Sequence, residues 1–178
     1  MESDSFLIEE LYEKYHKDVY RFAYFFTNSK LDAEDITQEV FIKVLKNLYQ
    51  LRDRSKEKTW IITIVRNTAV DHIRRQRLIR FLPQSMLNDH HFSTESISNE
   101  LLIVKETRKE LRNALMKLQP NYRSVVILRA LHELSVKETA EALKCSEGKV
   151  RVDFHRALIV LKNIINLKEE WIDVEKSR

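Results

Sequence analysis

In the stretch LSVKETAEALKCSEGKVRVDFHRAL, Leu134 to Leu158, Ser135 and Glu138 stand three apart and Ser146 precedes a run holding Lys149, Arg151, His155 and Arg156. Ser135 and Glu138 have the spacing of a capping box, in which hydroxyl and carboxylate each bond the other residue's amide, so a short helix is predicted through Leu143. Lys144-Cys145-Ser146 then makes a tight turn, and Ser146 can cap a second helix starting near Glu147. At 100° per residue Val150, Phe154, Ala157 and Leu161 share one side of that helix, whereas Gly148, Lys149, Val152, His155 and Arg156 point away and Arg151 sits on the shoulder. A short helix, a turn and a longer helix form a helix-turn-helix layout. The outward groups suit entry into a DNA major groove: Lys and Arg reach phosphates or guanine edges, and small groups near the helix start allow close approach. An ordinary helical hairpin with a solvated basic face is the plainer alternative.

A second basic segment lies earlier. Arg66, Arg74, Arg75, Arg77 and Arg80 face a single acid, Asp71, within fifteen residues. A helix is predicted from about Thr59 to Ile79, with Ile61, Ile62, Val65, Ala69 and Ile73 on one side and Thr63, Asn67, Val70, Asp71 and Arg74 on the other. Residues 1–13 are the reverse, with five acids (Glu2, Asp4, Glu9, Glu10, Glu13) and no base. The total charge is only +4, so the uneven distribution matters more than the sum; it fits an anionic polymer on one face and a basic protein on another.

Catalysis finds no support. The sequence holds no Gly-rich phosphate loop, nucleophile elbow or paired acid site, so neither an enzyme nor a cofactor is expected. His90 and His91 lack Cys or carboxylate partners at ligand spacing, which argues against a metal. His72 reads as a satisfied core or boundary histidine, and Cys145 as a small packing residue. As the sole cysteine, Cys145 excludes an internal disulfide, and a reducing cytoplasm is the simpler expectation. No stretch has the pattern of a signal peptide or of a membrane span, so direct membrane insertion is not expected.

The elements that must position these groups are helices. One Gly, two Pro and 43% hydrophobic residues leave little material for hairpin turns and much for amphipathic helices. Leu11, Tyr15, Val19, Phe22 and Phe26 form one stripe, and Ile36, Val40, Val44 and Leu48 another, with Asp32 expected as the cap of the second helix and Glu34 and Asp35 in its first turn. The polar loop Arg52 to Lys58 leads into the Thr59 helix. Leu82 to Asn99 loses periodicity and has the composition of a linker. Beyond it Ile103, Thr107, Leu111, Ala114 and Leu118 share a face, Pro120 suits the first turn of a helix burying Val125, Leu128 and Leu131, and two short helices complete a bundle. The fold class is all-α: two small helical domains, 1–81 and 100–178, joined by a flexible linker, 82–99.

In family order these segments resemble the extracytoplasmic-function (ECF) group of the bacterial sigma-70 family, the promoter-recognition subunits of RNA polymerase. DAEDITQEVFIKV (Asp32 to Val44) is similar to the family's helix that docks on core polymerase, and TWIITIVRNTAVDHIRR (Thr59 to Arg75) to its −10-element helix. LQPNYRSVVILRALHELSVKETAEAL (Leu118 to Leu143) and SEGKVRVDFHRAL (Ser146 to Leu158) are similar to its −35-element module. The first domain is thus sigma region 2-like and the second sigma region 4-like.

The resemblance implies site residues. Asp35, Gln38 and Glu39 would contact core polymerase. Asn67 would stand beside the flipped-out −10 base, with Thr63, Val70 and Asp71 around it and Arg66, Arg74, Arg75 and Arg77 on phosphates, while the Arg52 to Lys58 loop captures the unpaired base. Trp60, which opens that helix in the family, is expected to be structural. Lys149, Arg151, Val152, His155 and Arg156 would meet −35 DNA, Lys149 as a phosphate contact. Promoter DNA, core polymerase and a membrane-anchored anti-sigma factor are the implied partners. Two departures stand out: Lys144 where the turn usually has Gly, expected to alter it locally, and Asp153 where many members carry a base, expected to shift promoter preference. A stand-alone helix-turn-helix regulator and a sigma-like adaptor without promoter binding are the rival readings.

Overall fold

In the computed structural model of the protein, residues 2–80 and 102–176 are described, with side chains over 6–78 and 108–165. The expected linker 82–99, His90, His91, and the side chains of Ile103 and Thr107 lie outside these. The described residues are helical with no strand: α1 (Glu2–Thr27), α2 (Lys30–Lys46), α3 (Glu57–Arg80), α4 (Leu102–Lys117), α5 (Pro120–Val126), α6 (Val136–Leu143) and α7 (Glu147–Lys176). Short 3₁₀ turns at Leu48–Gln50 and Arg54–Lys56 join α2 to α3, and a π turn at Ile127–Leu131 extends α5. Two compact units result, one built on α1–α3 and one on α4, α5 and α7 with the start of α6.

In the first unit three helices pack mutually. The α1 stripe Leu11, Tyr15, Val19, Phe22 and Phe26 is buried, as are Ala33, Ile36, Val40, Val44 and Leu48 after it and Ile61, Ile62, Val65 and Ala69 on α3. Phe22 and Phe26 stack at 5.6 Å. Burying a side chain of this size is worth about 1.5–3 kcal/mol, so the three stripes supply the drive to assemble. Ile73 is only half-buried. The cap of α2 differs from the expected one. Ser29, extended at φ −133, accepts the Asp32 amide at 3.2 Å, so Asp32 lies inside the first turn and its carboxylate is released for other partners.

The link to α3 is held by a buried acid. Glu57, 2% exposed, accepts from Lys14 Nζ at 3.0 Å and from the Tyr15 hydroxyl at 3.4 Å, and it pairs with Arg54, which also reaches Glu10. Asp53 Oδ1 receives the Ser55 amide and hydroxyl at 2.9 and 2.7 Å. The Arg52 to Lys58 stretch is therefore pinned to α1 at Arg54 and Glu57, and α3 starts two residues earlier than expected.

In the second unit Leu111 is half-buried and Ala114 and Leu118 are buried. Pro120 occupies the first turn of α5, as expected. Arg123 is 3% exposed and donates to the carbonyls of Leu115, Met116 and Leu118 at 2.9, 2.9 and 3.1 Å, which satisfies the end of α4. Val125 and Leu128 are buried and Leu131 half-buried. The last helix is not short: α7 runs for 30 residues.

The Glu57 cluster is directly testable. Lys14→Met together with Arg54→Met leaves a buried carboxylate without its cations and is expected to destabilise the first unit, read as a lower urea midpoint at constant slope. Glu57→Gln is expected to cost clearly less. Equal costs would mean that the carboxylate charge plays no part.

Candidate functional surfaces

The outer face of α2 is broader than its acids. Asp35 and Gln38 are exposed, and Leu31, Ile42 and Leu45 share their stripe, about 80° wide at 100° per residue, opposite the buried Ile36, Val40 and Val44. Leu31, Ile42 and Leu45 are half-exposed and Tyr49, just beyond, is 76% exposed. Large apolar groups aligned on a solvent face between acids have the composition on which a protein partner can dock. Sequence reasoning passed over these four, although the spacing 31, 35, 38, 42, 45 carried the signal.

Glu39 lies elsewhere. It is half-buried at the α2–α3 seam, where Oε1 pairs with Lys43 at 2.8 Å and Oε2 with Arg75 at 3.1 Å. Burial opposes its charge, but the bonds from Lys43 and Arg75 outweigh it and hold the carboxyl below its usual 4.5. Further along the seam, Asp32 Oδ1 bonds His72 Nε2 and Gln76 Nε2, both at 3.0 Å. Here too burial is outweighed by the His72 and Gln76 bonds, and Asp32 stays below 3.8. His72 is thus the satisfied boundary histidine expected. Lys43 Nζ donates to the buried Thr68 hydroxyl at 3.0 Å.

Helix α3 presents Asn67 to solvent, its amide oxygen accepting from Arg66 at 3.0 Å. Thr63 and Val70 flank it half-buried, and the Thr63 hydroxyl is bonded back to the Thr59 carbonyl at 2.8 Å. Trp60 is half-buried. Arg74 pairs with Asp71 at 3.0 Å, Arg75 with Glu39, and Arg77 is exposed. The exposed Arg74–Asp71 pair is worth about 0–1 kcal/mol, so a phosphate can displace Asp71 there, whereas Arg75 is bonded to a half-buried acid at the seam.

The second unit shows both expected caps of the helix-turn-helix. The Ser135 amide donates to Glu138 at 2.7 Å and the Glu138 amide to Ser135 Oγ at 3.1 Å, while Ser146 Oγ accepts the Lys149 amide at 3.2 Å. Lys144 takes the left-handed conformation, φ 51, and the Cys145 amide reaches back to Ala140 O at 3.0 Å. That is a Schellman ending, so the turn keeps the glycine-type geometry despite the lysine, and the expected local departure is absent. Val150, Ala157 and Leu161 are buried, and Phe154 lies beneath the Arg129 guanidinium, 5.7 Å from its ring centroid.

Arg151, Val152, His155 and Arg156 are exposed. A Cβ on Gly148 would meet nothing within 4 Å, so packing within the chain does not demand glycine there. Arg151 pairs with Glu147 at 2.9 Å, and Lys149 with Asp153 at 2.7 Å. Asp153 is 6% exposed. It is therefore not an outward acid, and its charge is met by Lys149.

Among the described residues no cluster of His, Cys, Asp or Glu could hold a metal, and no helix is long and apolar enough to cross a membrane.

Comparison with known proteins gives a consistent picture. The family model described as Sigma-70 region 2 matches residues 11–79, and that described as Sigma-70, region 4 matches residues 108–161. The chain is 38% identical to the ECF RNA polymerase sigma factor SigX of Bacillus subtilis, over 93% of this chain and 87% of SigX. It is 34% identical to the RNA polymerase sigma factor YlaC of the same organism, over 92% and 95%. Its fold matches the sigma factor RpoE, solved with the anti-sigma factor NepR from Bartonella quintana, at a TM-score of 0.71 and 19% identity, covering 89% and 96%.

The seam carboxylates set an acid limit on stability. Both have depressed folded pKa values, so their contribution is full above the ordinary carboxylate range and is lost as pH falls through the lower folded values. The urea midpoint is expected to drop between about pH 5 and about pH 3, and Asp32→Asn to flatten that drop. An unchanged pH slope in the variant would show that Asp32 does not contribute to it.

Proposed function

Because the chain belongs to the ECF group of the sigma-70 family of RNA polymerase sigma factors, we propose that its two units divide promoter recognition among three helices: α2 docks on core polymerase, α3 captures the −10 strand and α7 reads the −35 duplex. The observation that carries this division is the two-sidedness of the first unit. One bonded pair of helices offers an acidic and apolar face on α2 and an amide and arginine face on α3.

On α2, Leu31, Ile42, Leu45 and Tyr49 supply the apolar contact, and Asp35 and Gln38 the polar rim against a basic partner. Glu39 contributes indirectly, because it is committed to Lys43 and Arg75. On α3, the Asn67 amide can both donate to and accept from the edge of an unstacked base, with Thr63, Val70 and Asp71 forming the rest of its surroundings. Arg66, Arg74 and Arg77 track the backbone, which gives affinity and salt dependence but no sequence choice, while Arg75, expected on a phosphate, is held at the seam by Glu39. On α7, Arg151, Val152, His155, Arg156 and Lys149 face the groove, and bare Gly148 lets the backbone approach.

The chain itself carries out no bond chemistry on this reading. Polymerase makes RNA, and contacts on α3 offset the cost of unstacking the captured base. The site of action is the cytoplasm, where core polymerase works. An anti-sigma factor, membrane-anchored as for many members of the family, would silence the protein by covering the α2 apolar row or the faces of α3 and α7.

Two variants separate the roles. Asn67→Ala is expected to slow open-complex formation about tenfold, the worth of one base contact, while core affinity stays within about twofold. Ile42→Lys with Leu45→Lys is expected to weaken core binding at least tenfold in fluorescence anisotropy. Parallel loss of core binding and initiation in Asn67→Ala would contradict the division.

A further inference from the structure

The start of α7 carries two acid–base pairs at the same helical spacing but in opposite surroundings. Glu147 and Arg151 are both in water, with side chains 46% and 62% exposed, so the pair is screened and a phosphate can replace the carboxylate. In the other pair Lys149 is 56% exposed but Asp153 only 8%. If Lys149 swung away to a phosphate, Asp153 would remain an unpaired charge in a buried position, which is strongly unfavourable. Arg151 can leave its acid, whereas Lys149 is held by its own.

We infer that Asp153 is a positioning residue, which keeps Lys149 as a fixed, charge-neutralised hydrogen-bond donor so that this lysine reads sequence instead of neutralising phosphate. The inference rests on the reading that α7 meets duplex DNA, and it replaces the expectation that Lys149 is a phosphate contact. An ammonium has three protons. One is committed to Asp153 Oδ2 at 2.7 Å, and two remain for acceptors on a base edge. The base of the side chain is fixed as well, since the Lys149 amide is bonded to Ser146 Oγ at 3.2 Å. A flexible lysine is a poor reader because it can follow any acceptor, and tethering at both ends removes that freedom. The bond to Asp153 is also the leading cause that raises the Lys149 pKa, so the donor form persists.

A cation that keeps its buried counter-charge displaces no counterion from DNA. The salt dependence of binding therefore isolates the claim from any purely structural role of Asp153. The full chain is titrated against a fluorescein-labelled mixed-sequence duplex of about 30 bp between about 50 and 200 mM salt, with cooperative melting checked for each variant. Asp153→Asn leaves Lys149 with its full charge and is expected to steepen the slope of log K against log salt by about 0.9. That is a roughly threefold larger gain over the parent chain at the low end of the salt range than at the high end. Lys149→Met with Asp153→Asn removes both charges and is expected to keep the parent slope.

An unchanged slope in Asp153→Asn, with a double variant shallower by about 0.9, would show that Lys149 already acts as a phosphate contact and would overturn the inference. Should Asp153→Asn not melt cooperatively, the double variant decides alone: the parent slope supports the inference and a shallower one overturns it. No binding by any variant, the parent included, would remove the duplex reading of α7 as well. For the reading role, holoenzyme transcribes from a promoter fragment recovered by start mapping and from the same fragment with its −35 segment scrambled. The double variant is expected to lower the ratio of the two about tenfold, as for one lost base contact, and an unchanged ratio would overturn that role.

Discussion

Along the edge where α2 meets α3, Asp32 bonds His72 and Gln76, Glu39 bonds Arg75, and Lys43 bonds Thr68. Apolar stripes alone let two helices slide by a turn at modest cost, because one Ile or Val replaces another. Directional bonds at three levels do not. They fix which residues of α2 face outward when Asn67 faces outward on α3, and so they fix the distance between the face we propose for polymerase docking and the face we propose for strand capture. A sigma factor needs that relation to be rigid, since the base it captures must lie where the bound polymerase can use it.

Burial decides which charges can act on a partner. The exposed pairs Asp71–Arg74 and Glu147–Arg151 lose little when exchanged for a phosphate, so their arginines remain available despite having partners in the isolated chain. Glu57 and Asp153 are buried, and each holds its cation in place, so neither cation is free to neutralise a phosphate. The number of basic residues on a helix is therefore a poor measure of its field at DNA, and the exposure of each acid beside it is the better guide.

The hydrophobic stripes were legible because helical periodicity repeats locally, and nearly every apolar position they picked is buried or half-buried among the described residues. Ser135–Glu138 and Ser146 were legible for the same reason, since a capping bond spans three residues. Asp32 has a capping side chain just ahead of the stripe, but the extended backbone lies at Ser29, whose hydroxyl accepts the Asp32 amide, and that conformation is not written in the residue types. Glu57 was missed because in RDRSKEK it looks like one charge among many, and its partners Lys14 and Tyr15 lie more than forty residues away. Lys144 was expected to disturb its turn, yet the Schellman bonds outweigh the modest penalty of a left-handed lysine. The outer apolar row of α2 is interleaved with its acids, so the charged residues mask a second periodic set in the same helix.

The central claim is that this chain gives core polymerase a promoter. The direct measurement is transcription of a fragmented bacterial genomic library by sigma-free core polymerase, with and without the protein, mapping every new RNA 5′ end. Discrete new starts that share a pair of upstream motifs, one near −35 and one near −10, are the predicted result. Tight duplex binding without any new start would contradict it and would leave a helix-turn-helix regulator in its place.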